Sequence, residues 1–368
     1  MSLLEEMNQK ATKLGVPLSA HMDITWRCNE RCVHCYLDHE GKGEMTTAEI
    51  KDILRQMAEC GTFFLSISGG EPLLRRDCFE ILEYARGLRL NVKLKTNAVM
   101  IGAKEAARIK ELGLEMVQIS LYSHLAEVHD GITKLPGSWR RTIAAIGRLK
   151  ANGVKVSLTN VLMTQNSGHA RAVKRLAEEL EVGFVVDPTI TPKLNGDRSI
   201  LRLGITREEM EEIFHAEEFV GDVAEYCAPT GAVDDDVLDG YSCSAGHTLA
   251  YISPFAEVFP CVQFPMPCGS LRKQSFREIW WHSEALGQVR ATRVRELHTC
   301  SSCTHVPYCS RCPGLAYMEG DFRGPSPQDC EKSFIRTGIP SAGQLAAKGR
   351  VPAVAGLIQI AGALPVAS

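Results

Sequence analysis

From about residue 19 the chain alternates short apolar runs with amphipathic segments, and this rhythm constrains the fold more than any other feature: it is that of βα units around a parallel sheet. The runs SAHMDITW, TFFLSIS, NVKLKT, MVQISL, VKVSLTNVLM and VGFVVD read as six strands. Between them, TTAEIKDILRQMAEC, LLRRDCFEILEYARGL, AKEAARIKELG, SWRRTIAAIGRLKANG and GHARAVKRLAEEL read as helices, several closing on a glycine stop, with Thr46 or Thr47 as the first N-cap. Six units joined by right-handed crossovers predict an α/β fold, a partial (β/α)6 TIM-like barrel.

After Asp187 the pattern breaks into turn-rich sequence, one further helix at TREEMEEIFHAEEF and the acidic connector APTGAVDDDVLDG. The expected divisions are an N-terminal extension over 1–18, the barrel with its connector over 19–239, a small cysteine-rich α+β module over 240–335 and a flexible tail over 336–368. That tail holds the apolar run VPAVAGLIQIAGALPVA, which is short for a span and bracketed by Pro352 and Pro365, so membrane contact is not expected.

With 41 Lys and Arg against 44 Asp and Glu spread along the chain, there is no electrostatic footprint for nucleic acid. The opening MSLLEEMNQKATKLG is mixed in charge and does not read as a secretion signal, so the cytoplasm is expected. In that setting 14 cysteines point to metal ligation or redox chemistry rather than disulfides. Cys60 and Cys78, on helices, read as small core residues, and Trp280 and Trp281 as packing.

In a parallel sheet the ligand site lies at the carboxyl ends of the strands. There the chain places CNERCVHC after the first strand, GGEP after the second, TNAV after the third, SLYSH after the fourth and Asn160 near the end of the fifth. Three thiolates suit zinc or an iron–sulfur cluster. Zinc wants a fourth ligand, and His34 is too close in sequence to its cysteine neighbours to share one tetrahedral centre with both. A cubane gives three irons to Cys28, Cys32 and Cys35 and leaves the fourth open for a ligand.

Cys-x3-Cys-x2-Cys after the first strand of a partial barrel, followed by Gly69-Gly70-Glu71-Pro72 after the second, resembles the radical S-adenosylmethionine (SAM) enzymes. The resemblance implies a [4Fe–4S] cluster whose open iron is chelated by SAM, and reductive cleavage of SAM to a 5′-deoxyadenosyl radical. It also implies that Glu71 meets the methionine ammonium, that Thr96, Asn97, Ser120 and Asn160 supply polar contacts to SAM, and that Tyr36 and His34 border the adenine.

The second cysteine group begins at Cys243 and Cys261, continues through CSSCTHVPYCSRCPG and ends at Cys330. One zinc would leave several thiols idle, whereas two iron–sulfur clusters fit the number. This half resembles the SPASM domain, an auxiliary-cluster module that follows the barrel in many radical SAM enzymes. That likeness implies one auxiliary cluster, expected as [4Fe–4S], on Cys243, Cys261 and Cys312, and another on Cys300, Cys303, Cys309 and Cys330. The fourth ligand of the first is Cys227, Cys268 or an open iron. Two departures stand out: the last cysteine of the tight run comes one residue early, and Ala256 stands where a glycine usually precedes Cys261.

The family resemblance implies oxidative maturation of a ribosomal peptide or protein by crosslinking, epimerisation or a similar change, with flavodoxin or ferredoxin as electron donor. Many peptide maturases begin with a fused leader-binding domain, whereas about eighteen residues precede the first strand here; the expectation is a separate recognition protein, a short substrate or no peptide at all. The alternatives are a small-molecule or tetrapyrrole (haem-type) maturase of the same architecture, and a non-catalytic iron–sulfur electron carrier, which would need no SAM contacts. No catalytic acid or base is legible; Asp187 and Asp197 follow the sixth strand but suit turns equally well.

Overall fold

A computed structural model of the chain describes residues 3–349 except 40, 229, 230 and 232. Six parallel strands, β1 (Ser19–Thr25), β2 (Phe64–Gly69), β3 (Asn91–Thr96), β4 (Met116–Ser120), β5 (Val156–Val161) and β6 (Gly183–Asp187), lie side by side in sequence order. The helices α1 (Leu3–Leu14), α2 (Thr47–Glu59), α3 (Cys78–Gly87), α4 (Ala103–Leu112), α5 (Ala126–Thr133), α6 (Ser138–Ala151), α7 (Ala170–Glu179) and α8 (Arg207–Phe214) accompany them. Thr46 caps α2 through a reciprocal box with Glu49, and Gly113 ends α4 in the left-handed region.

Alternation along each strand divides the sheet into an apolar and a polar face. Met22, Ile67, Leu94, Ile119 and Leu158 are fully buried in one core with Ile50, Leu54, Ile81, Ile109, Ile146 and Val173 of the helices. The opposite face carries His21, Ser68, Lys95, Gln118, Ser120 and Thr159, which line a cavity of about 330 Å³. The interior of this partial barrel is therefore polar and open, unlike the close-packed layers of a closed eight-stranded barrel.

The sheet continues across the expected boundary near residue 240. Strand β7 (Leu249–Ile252) pairs in parallel with the free edge of β1, from Ser19↔Leu249 to Met22↔Ile252. Antiparallel β8 (Glu257–Phe259) and β9 (Gly269–Ser270) extend it to nine strands in the order β6-β5-β4-β3-β2-β1-β7-β8-β9. Ala250, Ile252, Val258, Phe276, Ile279 and Trp280 belong to the same core as the barrel helices, as do Cys60 and Cys78. Trp280 is fully buried and donates Nε1–H to the Gly15 carbonyl (2.6 Å), tying the C-terminal half to the end of α1.

Beyond the cysteine-rich segment, helix Pro327–Thr337 is followed by helix Ala342–Gly349. The start of the expected tail is thus helical: Ser341 is buried, and the Ala342 N–H points at Cys303 Sγ (3.4 Å). The apolar run from 351 onward lies outside the described residues. Among the described residues no helix is long and apolar enough to cross a membrane.

Candidate active site

The loop after β1 is held from several sides. Arg31 N–H and Val33 N–H donate to the Thr133 and Ile132 carbonyls at the end of α5 (2.9 and 3.0 Å), and Cys35 N–H closes a turn onto the Cys32 carbonyl (3.0 Å). From the end of β3, Asn97 Nδ2 donates to Asn29 Oδ1 (2.8 Å) and approaches Cys28 Sγ (3.9 Å). Cys28, Cys32 and Cys35 line the mouth of the polar cavity together with Glu30, His34 and Tyr36.

Burial pushes the Cys28 thiol up to about 12 and the Cys32 and Cys35 thiols upward as well, and nearby Glu30 and the neighbouring cysteines oppose ionisation of Cys32. Three half-buried thiols whose ionisation burial opposes need cationic iron to neutralise them as thiolates. Among the described residues no three His, Cys, Asp or Glu side chains are disposed to hold a single metal ion. A cubane spreads its thiolates over separate irons, and these three cysteines fit that demand.

The GGEP segment acts differently from the sequence reading. Gly70 N–H and Glu71 N–H donate to the Thr25 and Arg27 carbonyls (2.8 and 2.9 Å), so the exit of β2 runs against the exit of β1. A Cβ at Gly69, whose φ is 134°, would lie 2.0 Å from the Thr25 oxygen, and one at Gly70 would lie 2.4 Å from the Arg27 oxygen. The close approach that demands glycine is between two chain segments, although both glycines also face the cavity.

Glu71 is fully buried, and its carboxylate is engaged within the protein. It accepts from Thr96 Oγ1 (2.8 and 2.9 Å), Asn97 N (2.8 Å) and Leu73 N (3.1 Å). It caps the short turn Pro72–Leu74 and fixes the end of β3, and neither Glu71 nor Pro72 lines the cavity.

Of the remaining sequence candidates, Tyr36, Thr96, Asn97 and Ser120 line the cavity, and Asn160 does not. Strand alternation turns Asn160 to the other face of β5, where Nδ2 donates to the Leu121 carbonyl (2.6 Å) and buried Oδ1 has no partner; Thr159 faces the cavity in its place. Asp187 lines the cavity while capping the following turn through Thr189 N (2.9 Å). Asp197 instead pairs with Lys193 (2.7 Å) away from it.

The cysteines of the C-terminal module form two groups. Cys300, Cys303, Cys309 and Cys330 line one cavity of about 300 Å³ with His305, Arg311 and Asp329. Burial raises Cys300 to about 11, and Cys330, Cys309 and Cys303 add to the effect against Arg311. Cys261 is likewise raised to about 11 by burial and by Cys243 and Cys312, which marks those three as neighbours. Both donor sets fit iron–sulfur clusters.

Neither Cys227 nor Cys268 joins the Cys243–Cys261–Cys312 group. Cys227 Sγ contacts the Phe214 carbonyl (3.4 Å) beside Arg336, and Cys268 Sγ contacts the Met266 carbonyl (3.3 Å) beside Arg290. The two departures from the usual SPASM pattern have local counterparts. Ala256 is fully buried and adopts φ 65°, a conformation that suits glycine, and Cys312 caps helix Pro313–Met318 by accepting Leu315 N–H (3.5 Å).

Sequence reasoning missed several cavity residues: His21, Glu30, Lys95, Gln118, Thr159, Thr189, Thr191 and Gln263. A signal existed for the strand residues, since His21 and Asp23, Lys93 and Lys95, and Gln118 and Ser120 are polar at alternate positions. Gln263 had none. It donates Nε2–H to Thr191 Oγ1 (2.9 Å) while Oε1 lies 3.9 Å from Cys312 Sγ, so the Cys243–Cys261–Cys312 group abuts the barrel cavity.

Family models match the chain twice: the radical SAM superfamily over residues 22–177 and the SPASM iron–sulfur cluster-binding domain over 243–313. An AdoMet-dependent heme synthase of Methanosarcina barkeri is 28% identical, covering 82% of this chain and 92% of that protein. The mycofactocin maturase MftC of Mycobacterium ulcerans is also 28% identical, covering 90% of this chain and 91% of its own. Among solved structures, Streptococcus suis SuiB bound to S-adenosylmethionine shares the fold with a TM-score of 0.71 at 17% identity, over 89% of this chain and 81% of that one. The chain thus carries a radical SAM domain and, joined to it, a SPASM domain, and it is an enzyme that uses a [4Fe–4S] cluster and SAM.

Proposed function

We propose that this enzyme oxidatively matures a ribosomal peptide or protein, holding the catalytic cluster on Cys28, Cys32 and Cys35. The observation that carries the reading is the shared cavity: the three thiols stand at its mouth, while Val262 and Gln263, next to Cys261, stand in its wall. When bound there, the cluster and SAM would supply the radical chemistry that removes a hydrogen from the substrate. Around them, Asn97 braces the Cys28 loop, Tyr36 and Ser120 flank the ligand space, and Glu71 holds the end of β3 in place.

Oxidation leaves an electron, and the iron–sulfur cluster that Cys243, Cys261 and Cys312 would hold beside Gln263 would accept it. The cavity of about 330 Å³ is shared between SAM and the reacting group, which favours an inserted side chain or chain terminus over a whole macrocycle. The likeness to a mycofactocin maturase, and to the fold of SuiB in complex with its precursor peptide SuiA, supports the same reading. Equal identity to a heme synthase keeps a tetrapyrrole substrate as the second reading. An external electron donor, such as flavodoxin or ferredoxin, belongs to either, and a separate recognition protein to the first.

The test begins with iron and sulfide content after anaerobic reconstitution. The parent is expected to hold about twelve irons, and a variant with Cys28, Cys32 and Cys35 changed to alanine about eight and no SAM cleavage. The loaded enzyme is then incubated with SAM, reductant and either candidate precursor peptides or carboxylated tetrapyrroles, with mass spectrometry as readout. Modification of a tetrapyrrole and of no peptide would overturn the first reading in favour of the second.

A further inference from the structure

The barrel cavity also holds a cationic side chain that none of the SAM contacts expected from the sequence includes. Lys95 projects from β3 into the cavity. Among the described residues its ammonium has no carboxylate within 4.0 Å and donates no hydrogen bond, and its electrostatic neighbours are Asp23, Lys93 and Cys261.

Asp23, fully buried on β1, already accepts from His21 Nε2 (3.1 Å), Trp26 Nε1 (3.3 Å) and Tyr251 OH (2.8 Å). Three donors satisfy it without the lysine. Gln118, the cross-strand partner of Lys95, gives Nε2–H to Thr159 Oγ1 (2.6 Å). Burial, the largest influence, and the neighbouring Lys93 work against the Lys95 charge, with Asp23 and Cys261 pulling the other way. A cation kept in a partly desolvated cavity without an acceptor is stable in its charged form when an anion joins it.

We propose that Lys95 is the anchor for a carboxylate of the substrate that enters the barrel cavity. A planar carboxylate fits there because Lys95 offers three donors and no acceptor, while the neutral Ser68 and Gln118 beside it introduce no competing negative charge. In a peptide substrate such a group is the C-terminus or an acidic side chain. This inference rests on reading the cavity as the substrate site. It adds the class of group that enters first.

The probe is N-acetylglycine, compared with N-acetylglycinamide, which differs from it in lacking the carboxylate. Both are titrated into the reconstituted, SAM-bound enzyme under argon, with saturation-transfer NMR and protection of Lys95 from amine acylation as readouts. The acid is expected to bind the parent, to protect Lys95, and to bind Lys95→Gln at least tenfold more weakly, with Lys95→Arg recovering most of the loss. The amide is expected to bind weakly throughout. SAM affinity, measured separately by equilibrium dialysis, is expected to move less than about twofold.

Equal binding of acid and amide, or undiminished binding of the acid to Lys95→Gln, overturns the proposal. So does a large loss of SAM affinity in Lys95→Gln, because the anion held would then be the carboxylate of SAM itself. If Lys95→Gln fails to retain its iron, the acid–amide difference and Lys95 protection in the parent, with Lys95→Arg, decide the question. None of these readouts depends on which molecule carries the carboxylate. A fruitless peptide screen beside positive binding here therefore overturns the peptide reading alone.

Discussion

Glu71 accepts from one hydroxyl and two backbone N–H groups while having no exposed surface, so its side chain holds two strand ends together rather than reaching for a ligand. Glu71→Gln replaces one acceptor oxygen with an NH2 group that faces a donor. One buried N–H, of Asn97 or Leu73, then goes unpaired, at a cost of about 1–3 kcal/mol. The expected outcome is a lower midpoint in denaturant, with SAM affinity reduced through the displaced Asn97 end of β3. Urea unfolding and equilibrium dialysis of the same preparation check both, and unchanged stability would assign Glu71 to the ligand after all. The position of this residue at a strand end was legible in GGEP, but the direction of its side chain was not. Spacing places a residue at a strand end, whereas two of its three hydrogen-bond partners, Thr96 and Asn97, stand at the end of β3, some 25 residues away. Asn160 shows the same gap, because a one-residue step along a strand exchanges the cavity for the helix layer.

At the scale of elements, the six βα units were legible because each strand and most helices carry a clean period, reinforced by caps such as Thr46 and Gly113. Helix α5 was not: it has no side-chain N-cap bond and contains Gly131, so no local signal announces it, yet its last carbonyls position the Cys28–Cys35 loop. The pairing of β7 with β1 also escaped, since a parallel partner some 230 residues distant leaves no trace in local pattern. That pairing has a consequence for stability. A fragment of residues 1–239 exposes the edge of β1, and the core around Met22 loses Ala250, Ile252, Phe276 and Trp280. The fragment is expected to aggregate or to be digested rapidly by protease, while the full chain unfolds with barrel and β7–β9 in one transition. Sedimentation and limited proteolysis check this; a monomeric, protease-resistant 1–239 fragment would show the barrel to be self-sufficient.

Across the whole molecule, acid is resisted least where neutral histidines are buried in separate layers of the fold. His129 is 1% exposed, accepts Tyr122 N–H on Nδ1 (3.2 Å) and has no partner for buried Nε2. His247, in the module that carries the auxiliary cysteines, is 8% exposed and lies close to the ring of Tyr241. Burial holds both near a pKa of about 4, helped at His247 by Arg290 and Arg293. An unfolded histidine takes its proton near 6.5, so the unfolded chain binds protons first as pH falls. The contribution of each neutral histidine is therefore complete above about 6.5 and is lost between there and about 4, amounting to about 1–2 kcal/mol per site at pH 5.5. The pair together should remove about 3 kcal/mol between pH 7.5 and pH 5.5, a large share of the stability of an ordinary domain. Denaturant unfolding of the reconstituted enzyme under argon at those two values measures the loss. His129→Gln, whose amide oxygen can still accept the Tyr122 N–H, and His247→Gln are each expected to flatten the dependence by the share of one buried site, beside the similarly buried His34. A double variant as acid-sensitive as the parent would mean that neither histidine supplies the effect, and would leave the carboxylates to account for it.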